Sequence, residues 1–273
     1  MPELPEVETV KNVLKDTILN RQIIGIDVYY NRIIQDIDEN SFKQQLVNKT
    51  FVDILRKGKF LIFVLSDNTY LISHLRMEGK YFIKKQELET EKHEHIVFHL
   101  DNGCDLRYHD TRKFGCMWIR NEENLYSSQP LSKLATDANL IGLEELKQNL
   151  LGVKRPIKEV LLEQERIAGI GNIYADEILF KSKIHPLTKA CDLNDSDLKN
   201  IILYSKEILN EAIQSGGTTI RSYTSSLGVT GRFQQQLYVH TKDGEKCLSC
   251  GNIIEKMRVG GRGTYYCPHC QKL

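Results

Sequence analysis

The chain is predicted to fold as an α+β protein: an N-terminal β-sandwich flanked by helices, a C-terminal helical domain and a terminal ribbon. Three patterns predict it. Phe60-Leu61-Ile62-Phe63-Val64-Leu65 is a continuous apolar run, the mark of a strand buried on both faces. Leu198, Ile201, Ile202, Ile208, Leu209 and Ile213 recur at helical spacing within residues 195–214. Near the end stands Cys247-x2-Cys250-x16-Cys267-x2-Cys270, the spacing of a four-thiolate zinc ribbon.

In chain order, Leu4, Val7, Val10, Val13 and Leu14 repeat as one helical face, and Pro5 suits a first helical turn. Residues 22–119 read mainly as strands. Ile96, Phe98 and Leu100 alternate with Val97 and His99, and Asp67-Asn68 and Asp101-Asn102-Gly103 are turn signals. Several short strands at this spacing suggest a sandwich. A polar stretch at 121–129 begins a linker. Helices are expected at 155–165, 172–182 and 195–214, the last capped by Asp195 or Ser196 and closed by Gly216-Gly217. A glycine- and serine-rich stretch, 216–231, reads as a loop before the ribbon. The domains are thus expected at 1–130 (sandwich), 131–152 (linker), 153–236 (helical) and 237–273 (ribbon).

A chain of 273 residues can bury full cores in two domains. No apolar run approaches the roughly 18 residues of a membrane span. The acidic N-terminus lacks a basic-then-apolar signal pattern, which predicts the cytoplasm. A net charge of +1 does not announce a polyanion partner. Residues 229–273, however, hold seven Lys/Arg against three Asp/Glu. Cys104, Cys116 and Cys191 are isolated and read as reduced thiols. Nothing indicates an oxidising compartment, so the four ribbon cysteines read as zinc ligands rather than disulfides. Four sulfurs close a tetrahedral shell, so one structural Zn2+ is expected, with His269 a lesser competitor.

The start of the chain carries possible chemistry. Removal of Met1 would leave Pro2 as a secondary amine, and an α-amine titrates near about 8, so it can act as a nucleophile at neutrality. Glu3 and Glu6 lie within reach as proton shuttles. By itself the segment reads better as simply the opening of an amphipathic helix. Gly169-Ile170-Gly171-Asn172 joins two predicted helices, and free N–H groups at such a start can hold a phosphate, with Lys154 and Arg155 nearby. Lys59 precedes the buried run. Met77 and Phe114 look like core residues, yet Arg76, Arg112 and Lys113 flank them, a mixture that suits an apolar wedge between bases. His93-x-His95 would place two imidazoles on one strand face, a motif too short to imply a metal.

Six motifs in order resemble the bacterial formamidopyrimidine-DNA glycosylases. They are Pro-Glu-Leu-Pro-Glu-Val-Glu-Thr from Pro2, Arg-Lys-Gly-Lys ending at Lys59, and Ser-His-Leu-Arg-Met-Glu-Gly from Ser73. The others are Asp-Thr-Arg-Lys-Phe-Gly from Asp110, Gly-Ile-Gly-Asn-Ile-Tyr-Ala-Asp-Glu from Gly169 and Gly-Arg-Gly-Thr from Gly261. The resemblance covers essentially the whole chain. It implies a helix–two-turns–helix motif in the helical domain and a repair enzyme acting as a monomer on double-stranded DNA containing oxidised bases or abasic sites. Such an enzyme removes 8-oxoguanine and ring-opened purines and then cleaves the abasic strand by β,δ-elimination.

Carried over residue by residue, Pro2 would attack C1′ and form a Schiff base. Glu3 would serve proton transfer at the sugar, and Glu6 would hold the amine and a water. Lys59 would contact phosphate and assist β-elimination, and Arg262 would support δ-elimination. His74, His93, Arg112, Lys154 and Asn172 fall on DNA-contacting positions. Met77, Arg112 and Phe114 resemble the trio that fills the gap left by a flipped nucleotide. The stretch between Thr218 and Phe233 resembles a lesion-capping loop.

The chain departs from the family in three places. Leu134-Ala135-Thr136-Asp137-Ala138-Asn139-Leu140 lacks the prolines and glycine that stiffen this connection in many members, which predicts a looser linker. Tyr265 stands where relatives often carry histidine, and Val239-His240-Thr241 replaces a common Val-Tyr-Gly. Two rivals remain. One is an endonuclease VIII-type enzyme for oxidised pyrimidines, which tends to open Pro-Glu-Gly-Pro. The other is a non-catalytic zinc-ribbon damage-binding protein, which would lack Pro2, Glu3 or Lys59.

Overall fold

The structure is a computed structural model that describes residues 1–218 and 232–273; the expected lesion-capping loop lies mostly outside them. The chain forms two compact units. The first takes Met1–Pro2 and Glu6–Ser132; the second takes Glu3–Pro5, Lys133–Thr218 and Arg232–Leu273.

Helix α1 runs Leu4–Ile18. Then follow β1 (Ile23–Val28), α2 (Glu39–Leu46), β2 (Phe51–Lys57), β3 (Phe60–Leu65), β4 (Thr69–His74), β5 (Lys80–Lys85), β6 (Glu94–Leu100), β7 (Cys104–His109) and β8 (Cys116–Asn121). The strands make two four-stranded antiparallel sheets, ordered β1-β6-β7-β5 and β2-β3-β4-β8. One core joins them, containing Leu61, Phe63, Leu71, Tyr81, Phe98 and Tyr108 with Val7, Val10 and Leu14 of α1. Phe63 meets Phe51 and Tyr81 edge-on at 5.8 and 5.5 Å, a favoured geometry for rings carrying opposite face and edge charge. The expected turns are present. Asp67 and Asn68 take φ of 57° and 51°, and Gly103 takes 76°, the left-handed backbone such short reversals need.

Helix α2 interrupts the region read as β structure. Asp38 caps it, accepting from Ser41 N at 3.0 Å, and Phe42 and Leu46 bury one face. Two apolar positions were too few to register as a period.

The second unit contains α3 (Leu143–Leu150), α4 (Ile157–Leu161), α5 (Asn172–Lys181) and α6 (Asp195–Gln214) around its own core. The stretch 131–152, expected as a linker, holds α3 and buries Ala138, Ile141, Leu146 and Leu150 in that core. Within 134–140, Ala135 N donates to Gln164 O, Ala138 N to Ala168 O, and Ala168 N to Thr136 O, so the segment is paired through its backbone.

Helix α4 is shorter than the predicted 155–165. The Gln164 side chain accepts from Gly169 N and donates to the Leu162 and Ile170 carbonyls, which ends the helix in turns that lead to α5. Asn194 rather than Asp195 or Ser196 caps α6, in a reciprocal capping box with Asp197. Gly216 and Gly217 close it at φ 74° and 78°. The ribbon hairpin, β9 (Glu255–Val259) and β10 (Arg262–Tyr266), turns through Gly260 and Gly261 at φ 54° and 75°.

Candidate active site and nucleic-acid interface

In the second unit, Glu3 is 2% exposed and sits on the N-terminus of α5. Its carboxylate accepts from Gly171 N at 2.7 Å, Ile173 N at 3.0 Å and Tyr174 N at 3.4 Å. These are the N–H groups that no helical carbonyl satisfies, and the helix dipole favours an anion there. The sequence reading offered them to a phosphate; Glu3 occupies them instead. The glycines follow from this approach. A Cβ on Gly171 would overlap the Glu3 carboxylate, and one on Gly169 (φ 95°) would lie 2.5 Å from Leu4 Cδ1.

Asn172 donates from Nδ2 to Gly263 O at 2.9 Å, which ties the start of α5 to the strand that begins at Arg262. Arg262 is exposed beside the hairpin turn, and Lys154 is exposed between α3 and α4.

Sequence reasoning passed over the interior of α5. Lys158 and Asp176 are fully buried and ion-paired, and Asp176 Oδ2 lies 2.7 Å from His240 Nδ1. Burial pushes the Lys158 ammonium down, opposed by Asp176 and then Glu3. Glu177 accepts from the backbone N–H groups of Tyr238, Val239 and His240 at 2.7, 3.0 and 2.8 Å, although burial still pushes its carboxyl up. The available signal was two adjacent acids in a segment whose residues 173–180 are otherwise apolar and all buried. Such acids need partners.

The four ribbon cysteines bring their Sγ atoms within 4.8 Å of one another. Cys250 and Cys267 lie 3.5 Å apart, and Cys247 and Cys270 4.0 Å. Four Zn–S bonds of about 2.3 Å make a tetrahedron with edges of about 3.8 Å, so these donors fit one Zn2+ with no open position. It is the only such metal-capable group among the described residues, and His93 and His95 are not part of one. His93 has a left-handed φ of 75° and precedes β6, so it does not share a strand face with His95.

In the first unit, Pro2 is buried, and Glu6 and Lys59 are 5% and 4% exposed. Lys59 sits in the β2–β3 turn. His74 ends β4, opposite Phe60 in the ladder. Burial, then Arg76 and Lys59, pull its pKa down to about 3. Its Nδ1 accepts from Arg76 N at 2.9 Å, so the neutral ring carries its proton on Nε2 as a donor.

Phe114 is 53% exposed, Met77 half-buried and Arg112 exposed, so Phe114 is not a core residue. The Arg112 guanidinium lies 4.9 Å over the Phe114 ring. Their loop is shaped by Asp110, which is completely buried. It accepts from Arg112 N, Phe114 N and Gly115 N at 2.9, 2.9 and 2.8 Å. That organising role also escaped sequence reasoning. His93 is half-buried, its ring 6.2 Å from His95 and 5.8 Å from His109.

Comparisons with known proteins bear on this arrangement. Residues 1–117 match the family described as formamidopyrimidine-DNA glycosylase N-terminal domain. Residues 134–224 match its H2TH domain, and 244–273 match the zinc finger found in FPG and IleRS. The chain is 45% identical over 273 residues to the formamidopyrimidine-DNA glycosylase of Mycoplasma mobile, covering all of both. Its fold is similar to that of a Lactococcus lactis FPG mutant in complex with Fapy-dG containing DNA. There the TM-score is 0.94 at 39% identity, with both chains fully covered. A Lactococcus lactis Fpg complex with abasic-site DNA matches with a TM-score of 0.93 at 40% identity, covering 99% of this chain and 100% of that one.

Proposed function

The chain belongs to the formamidopyrimidine-DNA glycosylase family, and from that membership we propose that it repairs DNA through its N-terminal proline. It is a DNA glycosylase for oxidised purines and an abasic-site lyase, and it carries one structural zinc. No helix among the described residues is long and apolar enough to cross a membrane. With DNA as its substrate, we place its work in the cytoplasm, at the nucleoid.

The observation that carries the residue roles is the seating of Glu3 directly after Pro2. Once Met1 is removed, the Pro2 nitrogen attacks C1′ of the damaged nucleotide. The C1′–N bond breaks, and the base leaves with a proton. Glu3 is the carboxyl group for proton transfer at the sugar. Its hydrogen bonds to a helix end fix its oxygens, and a fixed orientation is what proton transfer requires. Glu6 holds the amine and water.

The iminium that results acidifies C2′, and loss of that proton expels the 3′ phosphate. Lys59 assists there, and Arg262 assists the second elimination. His74 donates from Nε2 to a backbone phosphate, a contact that its neutral ring makes at physiological pH. Asn172, His93, Arg112 and Lys154 grip the strands. Met77, Arg112 and Phe114 fill the stack after the base is extruded, which offsets part of the few kcal/mol that flipping costs.

Borohydride reduction tests the covalent step. Mature protein incubated with an 8-oxoguanine duplex and borohydride should give a covalent protein–DNA adduct, and Pro2→Gly should sharply reduce it. A dihydrothymine duplex should trap less. Retained trapping in a protein that still carries Met1 would overturn the proline mechanism, and a preference for dihydrothymine would favour the pyrimidine enzyme.

A further inference from the structure

We propose that Arg56 is a positioning residue for Lys59: it fixes the peptide bond that precedes Lys59 and anchors it to α1, so that cleavage of the abasic strand depends on it. This rests on the role given above to Lys59. None of the roles assigned above uses Arg56.

Lys57 pairs with Phe60 in the β2–β3 ladder, so Gly58 and Lys59 alone make the turn. Gly58 opens it at φ 55°, the left-handed backbone that a two-residue hairpin favours. Both turn residues are buried, and a buried carbonyl calls for a donor. Arg56 supplies one: its Nη1 donates to Gly58 O at 3.0 Å. That oxygen belongs to the planar peptide unit whose nitrogen is Lys59 N. Holding it therefore sets the direction in which the Lys59 side chain leaves the backbone.

The guanidinium is itself anchored. Its Nε donates to Glu8 Oε2 at 2.6 Å. Glu8 lies on α1, the helix that follows Pro2 and Glu3, and its other oxygen takes the Lys11 ammonium. Burial pushes the Glu8 carboxyl up, but Lys11 and Arg56 outweigh it and hold its pKa below the ordinary value, so the pair stays charged at neutrality. One planar fork thus joins α1 to the turn that carries Lys59. A lysine in its place would be a point charge on a flexible stem, holding neither partner in a fixed direction. Helix α1 also shares the sandwich core with β3, and Lys15 on α1 pairs with Asp53 on β2. Loss of Arg56 therefore frees the turn without releasing the helix.

The test is a double-mutant cycle on the zinc-loaded protein without Met1, in single turnovers on a duplex holding a preformed abasic site. Arg56→Met should slow strand cleavage by up to about 10²-fold, the scale of a displacement of about 1 Å at a reacting group. Arg56→Lys should lose nearly as much while unfolding at the wild-type denaturant midpoint, which separates positioning from stability. In a Lys59→Met background, Arg56→Met should change the rate by less than about twofold. Glu8→Ala unhooks the fork from α1 and guards against misfolding of the Arg56 variants. It should show a smaller loss that likewise vanishes without Lys59. Equal losses with and without Lys59, or a wild-type rate in Arg56→Lys, overturn the proposal. Wild-type cleavage by Lys59→Met overturns the role given to Lys59, and this one with it. Borohydride trapping on the same duplex reports separately on the proline reading, and it should reach the wild-type extent in the Arg56 variants, because the Schiff base forms before the elimination.

Discussion

Glu3 and Gly171 are 168 positions apart in sequence, yet each explains the other. The carboxylate takes N–H groups that a helix start leaves unpaired, and it approaches so closely that residue 171 has no room for a Cβ. Gly171→Ala should therefore displace the carboxylate and leave the helix itself intact. A shift of about 1 Å at a reacting group can cost about 10²-fold in rate. Base excision from 8-oxoguanine duplex should fall by that order, whereas cleavage of a preformed abasic site should fall less. Equal losses in single-turnover assays would show that Glu3 is not the group disturbed.

His74 yields a pH prediction. Its folded pKa of about 3 lies below the ordinary histidine value, so between about 6.5 and 3 the unfolded chain binds the extra proton. Stability linked to His74 is thus complete above about pH 6.5 and is lost as pH falls toward 3. His74→Gln should flatten that part of the acid dependence in chemical denaturation, and an unchanged curve would mean that the ring protonates in place.

At the scale of elements, the loop after β7 shows how the proposed wedge is held without regular structure. A completely buried Asp110 satisfies three backbone N–H groups and so fixes the positions of Arg112 and Phe114. Asp110→Asn replaces one acceptor with an NH2 that faces donors, and an unsatisfied buried group costs about 1–3 kcal/mol. The expected outcome is a stability loss of that size, with weaker binding to lesion duplex than to single-stranded abasic DNA. Equal effects on the two DNAs would remove the loop from the wedge role.

Elements built on long local periods were legible in sequence. The run at Phe60–Leu65 is β3 to the residue, and the 195–214 period is α6. The misses were short or borrowed. Helix α2 has two buried apolar residues, and α4 ends where the Gln164 side chain captures the turn. The backbone pairing of 134–140 was not legible, because its partners, residues 164 and 168, are supplied by the tertiary fold.

At the scale of the whole molecule, chelation separates the roles of the two units. The cysteines lie in a small core with Phe180, Val239, Ile254 and Tyr265, too small to hold the ribbon without its metal. Zinc removal should unfold the hairpin that carries Arg262 and weaken DNA binding by at least 10-fold, while the sandwich keeps its cooperative unfolding transition. Tight binding by the chelated protein would exclude the ribbon from the DNA grip. By itself the sequence determined the zinc ligands, the apolar run of β3 and the family to which Pro2, Lys59 and Arg262 belong. Those depend on spacing within one motif or on motifs in fixed order. Only the tertiary structure decided what holds the chemistry in place: Glu3 on the start of α5, Asp176 between Lys158 and His240, and Asp110 beneath Phe114. Each of these is a buried carboxylate, which must find donors wherever the fold brings them, and the two whose donors lie in distant segments follow no local spacing.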